Sequence, residues 1–196
     1  NELPTFEDKA EALHYFPMWR TWFGLCGFCK LPWNDVVHPK NKTADEPQKI
    51  PHHVENYRQV FMGVTGQEVT TEDLITQSER VYNFQRVFNI RLGRGLRAND
   101  AIPYRSVGPV TEEEYTSRQE RYDKQLREWL DLDPEEMTLE EKMAAHREHR
   151  TQQYEHLIDA VYERRGWTNN GVPTPEKLKS LGVDYPEVLA VVEKHL

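Results

Sequence analysis

Apolar residues recur along this chain at helical spacing, and the stretches between them carry glycine, proline and polar residues rather than the alternation of a strand. Val54, Tyr57, Phe61 and Val64 mark a short helix that Gly63 and Gly66 end. Thr70-Thr71-Glu72-Asp73 is a capping-box pattern, with Val69 and Leu74 placed for a hydrophobic staple. Leu74, Val81, Phe84, Phe88 and Leu92 then form one apolar stripe, which predicts a central core helix running up to Gly93. Residues 96–105 carry Asp100 and Pro103 with little periodicity and read as an ordered loop. A second box, Thr111-Glu112-Glu113-Glu114, opens a helix with Tyr115, Tyr122, Leu126 and Trp129 on one side, stopped by Asp133-Pro134. A third, Thr138-Leu139-Glu140-Glu141, starts a long helix whose apolar positions Met143, Tyr154, Leu157, Ile158, Val161 and Tyr162 concentrate in its C-terminal half. Its first half is predicted to face solvent. Gly166 is the expected stop, with Arg164 and Arg165 as cations where the helix dipole favours them. Thr174-Pro175 caps a short helix ended by Gly182, and Pro186 starts a last one through Val188, Leu189 and Val192. With no internal repeat and almost no strand-like alternation, the predicted class is all-α, one irregular helical domain over residues 1–196.

The N-terminal stretch is less periodic. Residues 1–19 mix acids with aromatics and close on Tyr15-Phe16-Pro17-Met18-Trp19, a density of large apolar groups that predicts packing rather than a free arm. His38-Pro39-Lys40-Asn41-Lys42-Thr43-Ala44-Asp45-Glu46-Pro47 reads as a surface loop. The chain starts without methionine amid apparent structure, which leads us to expect that an upstream part has been removed.

Composition narrows the partners. Lys+Arg 25 against Asp+Glu 33 gives a net charge of −8, so the basic surface that a nucleic-acid partner requires is not expected. No apolar run approaches the roughly 20 residues of a membrane span, and no signal-peptide pattern opens the chain, so the expectation is a cytoplasmic protein.

The chain has 2 cysteines in 196 residues, both in Trp22-Phe23-Gly24-Leu25-Cys26-Gly27-Phe28-Cys29-Lys30, read as an apolar, glycine-jointed loop. Two thiolates complete neither a tetrahedral zinc site nor an iron–sulfur cube, so this stretch is half of a site. The spacing is compatible with a thiol–disulfide centre, half of a zinc site, one or two cluster ligands, or two buried thiols acting as small hydrophobes. A thioredoxin-type centre expects a βαβ context, which the helical periods deny. Zinc would need two of His14, His38, His52 and His53, which form no recognisable ligand spacing. For a cluster, Gly24 and Gly27 would let the backbone approach the inorganic core.

Three other features have plainer readings. His146-Arg147-Glu148-His149 is not the zincin pattern and reads as a solvated charged helix face. Gly93-Arg94-Gly95 follows a helix where a P-loop follows a strand, and reads as a helix stop. The acids Glu112, Glu113 and Glu114 fit a helix's first turn.

Three stretches together resemble the C-terminal domain of the tungsten-dependent aldehyde ferredoxin oxidoreductase family. Phe23-Gly24-Leu25-Cys26 is similar to the family's Gly-Leu-Cys motif. Met62-Gly63-Val64-Thr65-Gly66 leads through Glu79-Arg80-Val81-Tyr82-Asn83 and Phe88-Asn89-Ile90-Arg91 to Asp100-Ala101-Ile102-Pro103. Tyr162-Glu163-Arg164-Arg165-Gly166-Trp167 is followed by Asn170-Gly171-Val172-Pro173-Thr174 and Leu178-Lys179-Ser180-Leu181-Gly182.

The resemblance implies the helical C-terminal portion of a multi-domain oxidoreductase with a tungsten (or molybdenum) bis-pterin and a 4Fe-4S cluster. Cys26 would be a cluster ligand, with Gly24 and Leu25 as the backbone beside the pterin. Cys29 is outside the family motif, open between a spare thiol and an alternative ligand. The family usually has an aspartate five residues before the motif cysteine, where this sequence has Thr21. The other cluster cysteines, the pterin-binding β-domain and the proton-transfer residues would lie upstream of Asn1. Electrons would pass to a ferredoxin or an iron–sulfur electron-transfer subunit. Phe16, Trp19, Trp22, Phe23, Phe28 and Trp33 crowd the cysteines, either as a cavity wall or as plain interface packing. With the polar stretch from His38 to His53, they point within the family to the branch that reduces benzoyl-CoA rather than oxidises aldehydes. Lys40, Lys42 and Lys49 would suit coenzyme A phosphates, or an ordinary surface loop. The rival classes are a non-enzymatic helical interaction module and a zinc-stabilised helical domain.

Overall fold

A computed structural model describes residues 5–28 and 52–196, with side chains from residue 55 onward in the second span. The helices are α1 (Phe6–Leu25), α2 (His52–Thr65), α3 (Thr71–Arg91), α4 (Glu112–Thr116), α5 (Gln119–Leu130), α6 (Leu139–Arg165), α7 (Pro175–Ser180) and α8 (Pro186–Val192). Short 3₁₀ turns at Arg97–Asp100 and Tyr104–Val107 occupy the predicted ordered loop. Among the described residues there is no strand, only an isolated bridge between Trp167 and Pro173, so the class is all-α.

The first helix corrects the reading of the cysteine stretch as a loop. Thr5 caps α1 by accepting from the Asp8 N–H at 3.1 Å, while the Asp8 carboxylate takes the Thr5 N–H at 2.9 Å. The helix then runs through Pro17 and includes Trp22, Phe23, Gly24 and Leu25. Its buried face, Met18, Trp19, Trp22 and Phe23, overrides the local helix-breaking tendency of Pro17 and Gly24 by packing against Leu74 of α3 and Tyr57 and Phe61 of α2. The end is a Schellman turn. The N–H of Gly27 (φ 72°) donates to the Gly24 carbonyl at 3.3 Å and that of Phe28 to the Phe23 carbonyl at 2.9 Å. The Phe23 and Phe28 rings meet at 6.0 Å, the apolar contact that accompanies this turn. Gly27 therefore serves the helix stop.

The stripe on α3 is core at one end only. Leu74 is fully buried beneath α1, but Phe84, Phe88 and Leu92 are 48, 52 and 61% exposed. Farther along, the buried side of α3 carries Asn83, Val87 and Ile90. Asn83 is admitted to the interior because its amide donates to the Glu79 carbonyl and its oxygen accepts from Trp167 Nε1 at 2.7 Å. Val87 and Ile90 join Val172, Leu178, Leu181, Val183, Val188 and Val192 in the C-terminal core.

Two more readings change. The helix predicted from Thr111 is two, α4 and α5, broken at Ser117-Arg118. There the Thr116 and Ser117 hydroxyls bond the carbonyls of Glu112 and Glu114 and compete with the helical ladder. The N-terminal half of α6 is not uniformly solvent-facing, because α5 and the Tyr104–Val107 turn pack on it. His146 is 1% exposed, its Nε2 2.9 Å from the Tyr122 carbonyl, and Lys142 lies 3.4 Å from Asp123. His146 and Lys142 are buried here with a partner each, which corrects the solvated-face reading for His146.

Candidate functional site

Cys26 is the C-cap of α1, half-buried against the aromatic cluster of Trp19, Trp22 and Phe23. Burial pushes its thiol pKa up, so the thiol by itself is protonated at neutral pH and is no activated nucleophile. The preceding Gly24 and Leu25 are exposed, Leu25 by 52%. Both line an open cleft of about 610 Å³ between α1 and α3. Leu13, Phe16, Pro17 and Arg20 continue the α1 wall, and Val81, Tyr82 and Gln85 form the other. At 100° per residue, Leu13, Arg20 and Gly24 fall on the side of α1 opposite the buried Trp22, with Phe16 at the edge of that side. One face of the helix thus anchors it, and the other is left for whatever lies beside Gly24 and Leu25.

A helix containing Pro17 needs an answer for the carbonyl of Leu13, which loses its i+4 donor. That answer comes from α6, where the Arg165 Nη2 donates to the Leu13 carbonyl at 3.0 Å. Arg165 is only 9% exposed and its guanidinium stacks 4.8 Å from the Tyr82 ring centroid and 5.1 Å from that of Trp167. Burial pushes its pKa down from the usual arginine range. Thr21, at the position where the family usually has aspartate, donates its hydroxyl back to the Pro17 carbonyl at 2.8 Å. The sequence placed Arg165 as a cation where the helix dipole favours one, and the signal that it had another duty was Pro17, whose helical setting leaves an acceptor open.

The remaining stretches of the family resemblance meet at Asp100. Its carboxylate receives both Nη atoms of Arg86, at 3.0 and 2.7 Å, and the Tyr162 hydroxyl. Burial raises the Asp100 pKa, but the hydrogen bonds from Arg86 and Tyr162 outweigh it and hold the carboxyl below its ordinary value. Arg86 Nε donates to the Gly171 carbonyl at 2.9 Å. Gly171 has φ +77°, and a Cβ there would collide with Arg86 Nη2 and sit 2.8 Å from the Tyr162 hydroxyl, so only glycine fits. Arg97 adds Glu155 and Asp159, both at 2.6 Å. This hub ties α3, α6 and the 95–103 and 168–173 segments together, and holds α3 as the fixed wall of the cleft.

The other sequence candidates divide. Cys29, His38, Trp33, Lys40, Lys42 and Lys49 lie outside the described residues, as do the side chains of His52 and His53. His14 is twelve residues from Cys26 on the same helix, about 18 Å along its axis. Its neighbours are Glu79, Arg165 and Lys177, and burial lowers its pKa. Among the described residues no group of three His, Cys, Asp or Glu is placed to hold a metal ion. One thiol with exposed Gly24-Leu25 backbone beside it fits a single ligand of a centre completed by other polypeptide.

The pattern of the family described as aldehyde ferredoxin oxidoreductase, domains 2 and 3, matches residues 1–183. The chain belongs to that family. It is 26% identical over 129 residues to the tungsten-containing aldehyde ferredoxin oxidoreductase of Pyrococcus furiosus, and 25% identical over 130 residues to that of Pyrococcus abyssi. Each alignment covers 66% of this chain and 16% of the relative, so the chain spans a small part of the length of the curated relatives it matches. No solved structure matches. Among the described residues, no helix is long and apolar enough to cross a membrane.

Proposed function

We propose that this chain is the helical part of a tungsten (or molybdenum) bis-pterin, 4Fe-4S oxidoreductase, in which Cys26 supplies one cluster thiolate and Gly24 and Leu25 the backbone beside the pterin. The observation that carries the reading is the placement of Gly24-Leu25-Cys26, on the exposed end of a helix anchored from behind, with a cleft along the same face. When bound, the metal pterin supplies the redox chemistry at the substrate and the cluster carries electrons to a ferredoxin or an iron–sulfur electron-transfer subunit. The chain's own residues hold and exclude. Trp22, Phe23 and Phe28 pack around the half-buried Cys26, and apolar packing of that kind would tune the cluster potential. Arg20, the one charged residue lining the cleft among the described residues, would offer its guanidinium to an anionic group of the cofactor or substrate.

The substrate reading is an aldehyde/carboxylate couple or an aryl-CoA, with benzoyl-CoA reduction first. Of the aromatics grouped around the cysteines, Trp19, Trp22 and Phe23 are buried in the helical core. Phe16, 51% exposed on the cleft wall, is the aromatic that supports a flat substrate.

The test uses the intact enzyme purified without oxygen, as wild type and Cys26→Ser. Tungsten and about four irons per chain, with the reduced-cluster EPR signal altered or lost in Cys26→Ser, support the assignment. Zinc alone, or an unchanged cluster signal in the variant, would sink it. Benzoyl-CoA reduction against aldehyde oxidation with a viologen dye then decides the substrate class.

A further inference from the structure

Asn170-Gly171, the one Asn-Gly pair in the chain, carries chemistry that the cofactor leaves unused. In such a pair the glycine nitrogen can attack the asparagine side-chain amide, because glycine has no Cβ to hinder the approach and lets the backbone turn freely. Here the pair sits in a three-residue hairpin loop. The Thr168 N–H donates to the Val172 carbonyl at 2.8 Å, the Gly171 N–H donates to the Thr168 carbonyl at 2.8 Å, and Gly171 is left-handed at φ 77°. Asn169 and Asn170 are exposed, so water and hydroxide reach the side-chain amides. The backbone around them is pinned at each carbonyl. That of Asn169 accepts from Arg97 Nη1 at 2.9 Å, that of Asn170 from the Arg97 backbone N–H at 3.0 Å, and that of Gly171 from Arg86 Nε at 2.9 Å.

We propose that Asn170 is a latent self-modification site that Arg97 and the Arg86–Asp100–Tyr162 hub hold closed. In the reaction the Gly171 nitrogen gives its proton to hydroxide and bonds to Cγ of Asn170. The Cγ–Nδ2 bond breaks, ammonia leaves, and a succinimide ring remains. One water then opens the ring at either carbonyl, leaving aspartate or isoaspartate at position 170, with no change of oxidation state. In the folded chain the attacking nitrogen spends its proton on the Thr168 carbonyl, and its peptide cannot rotate without releasing Arg97 and Arg86. Local opening of the loop must therefore come first. The isoaspartate product does not fit back. It lengthens the main chain by one carbon next to Gly171, where even a Cβ would collide with Arg86 Nη2. Either product also adds a negative charge to a loop bound by Arg97, which already holds Glu155 and Asp159. The modification thus loosens the hub that fixes α3 as a wall of the cleft.

The experiment incubates the intact protein at mildly alkaline pH, native and unfolded in guanidinium. The tryptic peptide of residues 166–177 is followed by mass spectrometry for conversion of amide to acid at Asn170, and isoaspartate is detected with protein isoaspartyl methyltransferase. The unfolded chain should react, and the native protein at least about tenfold more slowly, since it must open locally first. Arg97→Ala removes the clamp on the Asn169 carbonyl and should speed the native reaction several-fold. Arg97→Lys, which keeps the charge but not the fork, should do so to a smaller extent, and circular dichroism verifies that each variant is folded. Equal rates in the native and unfolded wild type, or no reaction in the unfolded chain, overturn the proposal whether or not the variants fold. An unaccelerated reaction in a folded variant overturns it as well.

Discussion

Arg165 is the residue through which α6 holds the proline-containing helix that carries Cys26, and Arg165→Met tests that role directly. The substitution keeps an unbranched chain to fill the space between Tyr82 and Trp167 and removes the donor to the Leu13 carbonyl. A hydrogen bond from a charged donor contributes about 1.5–3 kcal/mol, and an acceptor stranded away from water costs about 1–3 kcal/mol. Stacking on two rings adds about 0.5–1 kcal/mol each, offset by relief of the buried guanidinium's desolvation. The net expectation is a loss of about 2 kcal/mol, read by urea denaturation followed through tryptophan fluorescence, with Trp167 in contact with the mutated site. The decisive step is the same substitution in a Pro17→Ala background. Alanine restores an N–H at position 17, whose i−4 acceptor is the Leu13 carbonyl, so the acceptor no longer depends on Arg165. Arg165→Met should then cost at least about 1 kcal/mol less, a coupling well above the scatter of additive pairs. Equal costs in the two backgrounds would refute the link between Pro17 and Arg165.

Asp100→Asn should cost about 2–3 kcal/mol, toward the low end for a broken buried pair because the Asp100 side chain is 32% exposed. Since the folded-state pKa of Asp100 is depressed, its contribution is complete above about pH 4 and is lost as the pH falls through the folded value. The variant should therefore show a shallower acid limb in a stability–pH profile, and an unchanged limb would count against the Arg86–Asp100–Tyr162 hub. Burial holds His146 below the ordinary histidine pKa, against the opposing pull of its bond to the Tyr122 carbonyl. The unfolded chain thus takes up the proton first, and stability falls as the pH drops below about 6.5. His146→Gln keeps a donor for Tyr122 and should flatten that slope in part, leaving the share of His14, whose pKa is shifted the same way. An identical slope in wild type and variant would show that His146 is not buried as a neutral ring.

Much of the helical framework was legible because its signals are local. The boxes at Thr70/Asp73 and Thr138/Glu141 form as the residue types require, and Val69 packs in the same cluster as Leu74. Thr174 caps α7 through the Lys177 N–H at 3.2 Å, and Gly166 ends α6 in the left-handed conformation. The box at Thr111 forms only in half, because the Glu114 carboxylate takes the Val110 N–H instead. For α1, the Thr5-to-Asp8 signal was present in the sequence, but the cysteine stretch read as a glycine-jointed loop, and nothing local showed that a guanidinium 152 positions onward would satisfy the Leu13 carbonyl. The Cys26 motif was recognisable as a pattern, whereas its setting at a helix end beside a cleft was not.

The sequence by itself determined an all-α chain, its main helix boundaries, a thiol-bearing motif and membership of an oxidoreductase family, because caps, stops and periodicity depend on residues within one or two turns. Only the tertiary structure decided which phase of each helix is covered. Phe88 repeats the pattern of Leu74 yet stays exposed, because α1 reaches one and not the other. Asn83, His146 and Arg165 are polar yet buried, because each has a hydrogen-bond partner distant in sequence. Burial of a polar group turns on whether a partner waits for it, and that is a property of the assembled fold.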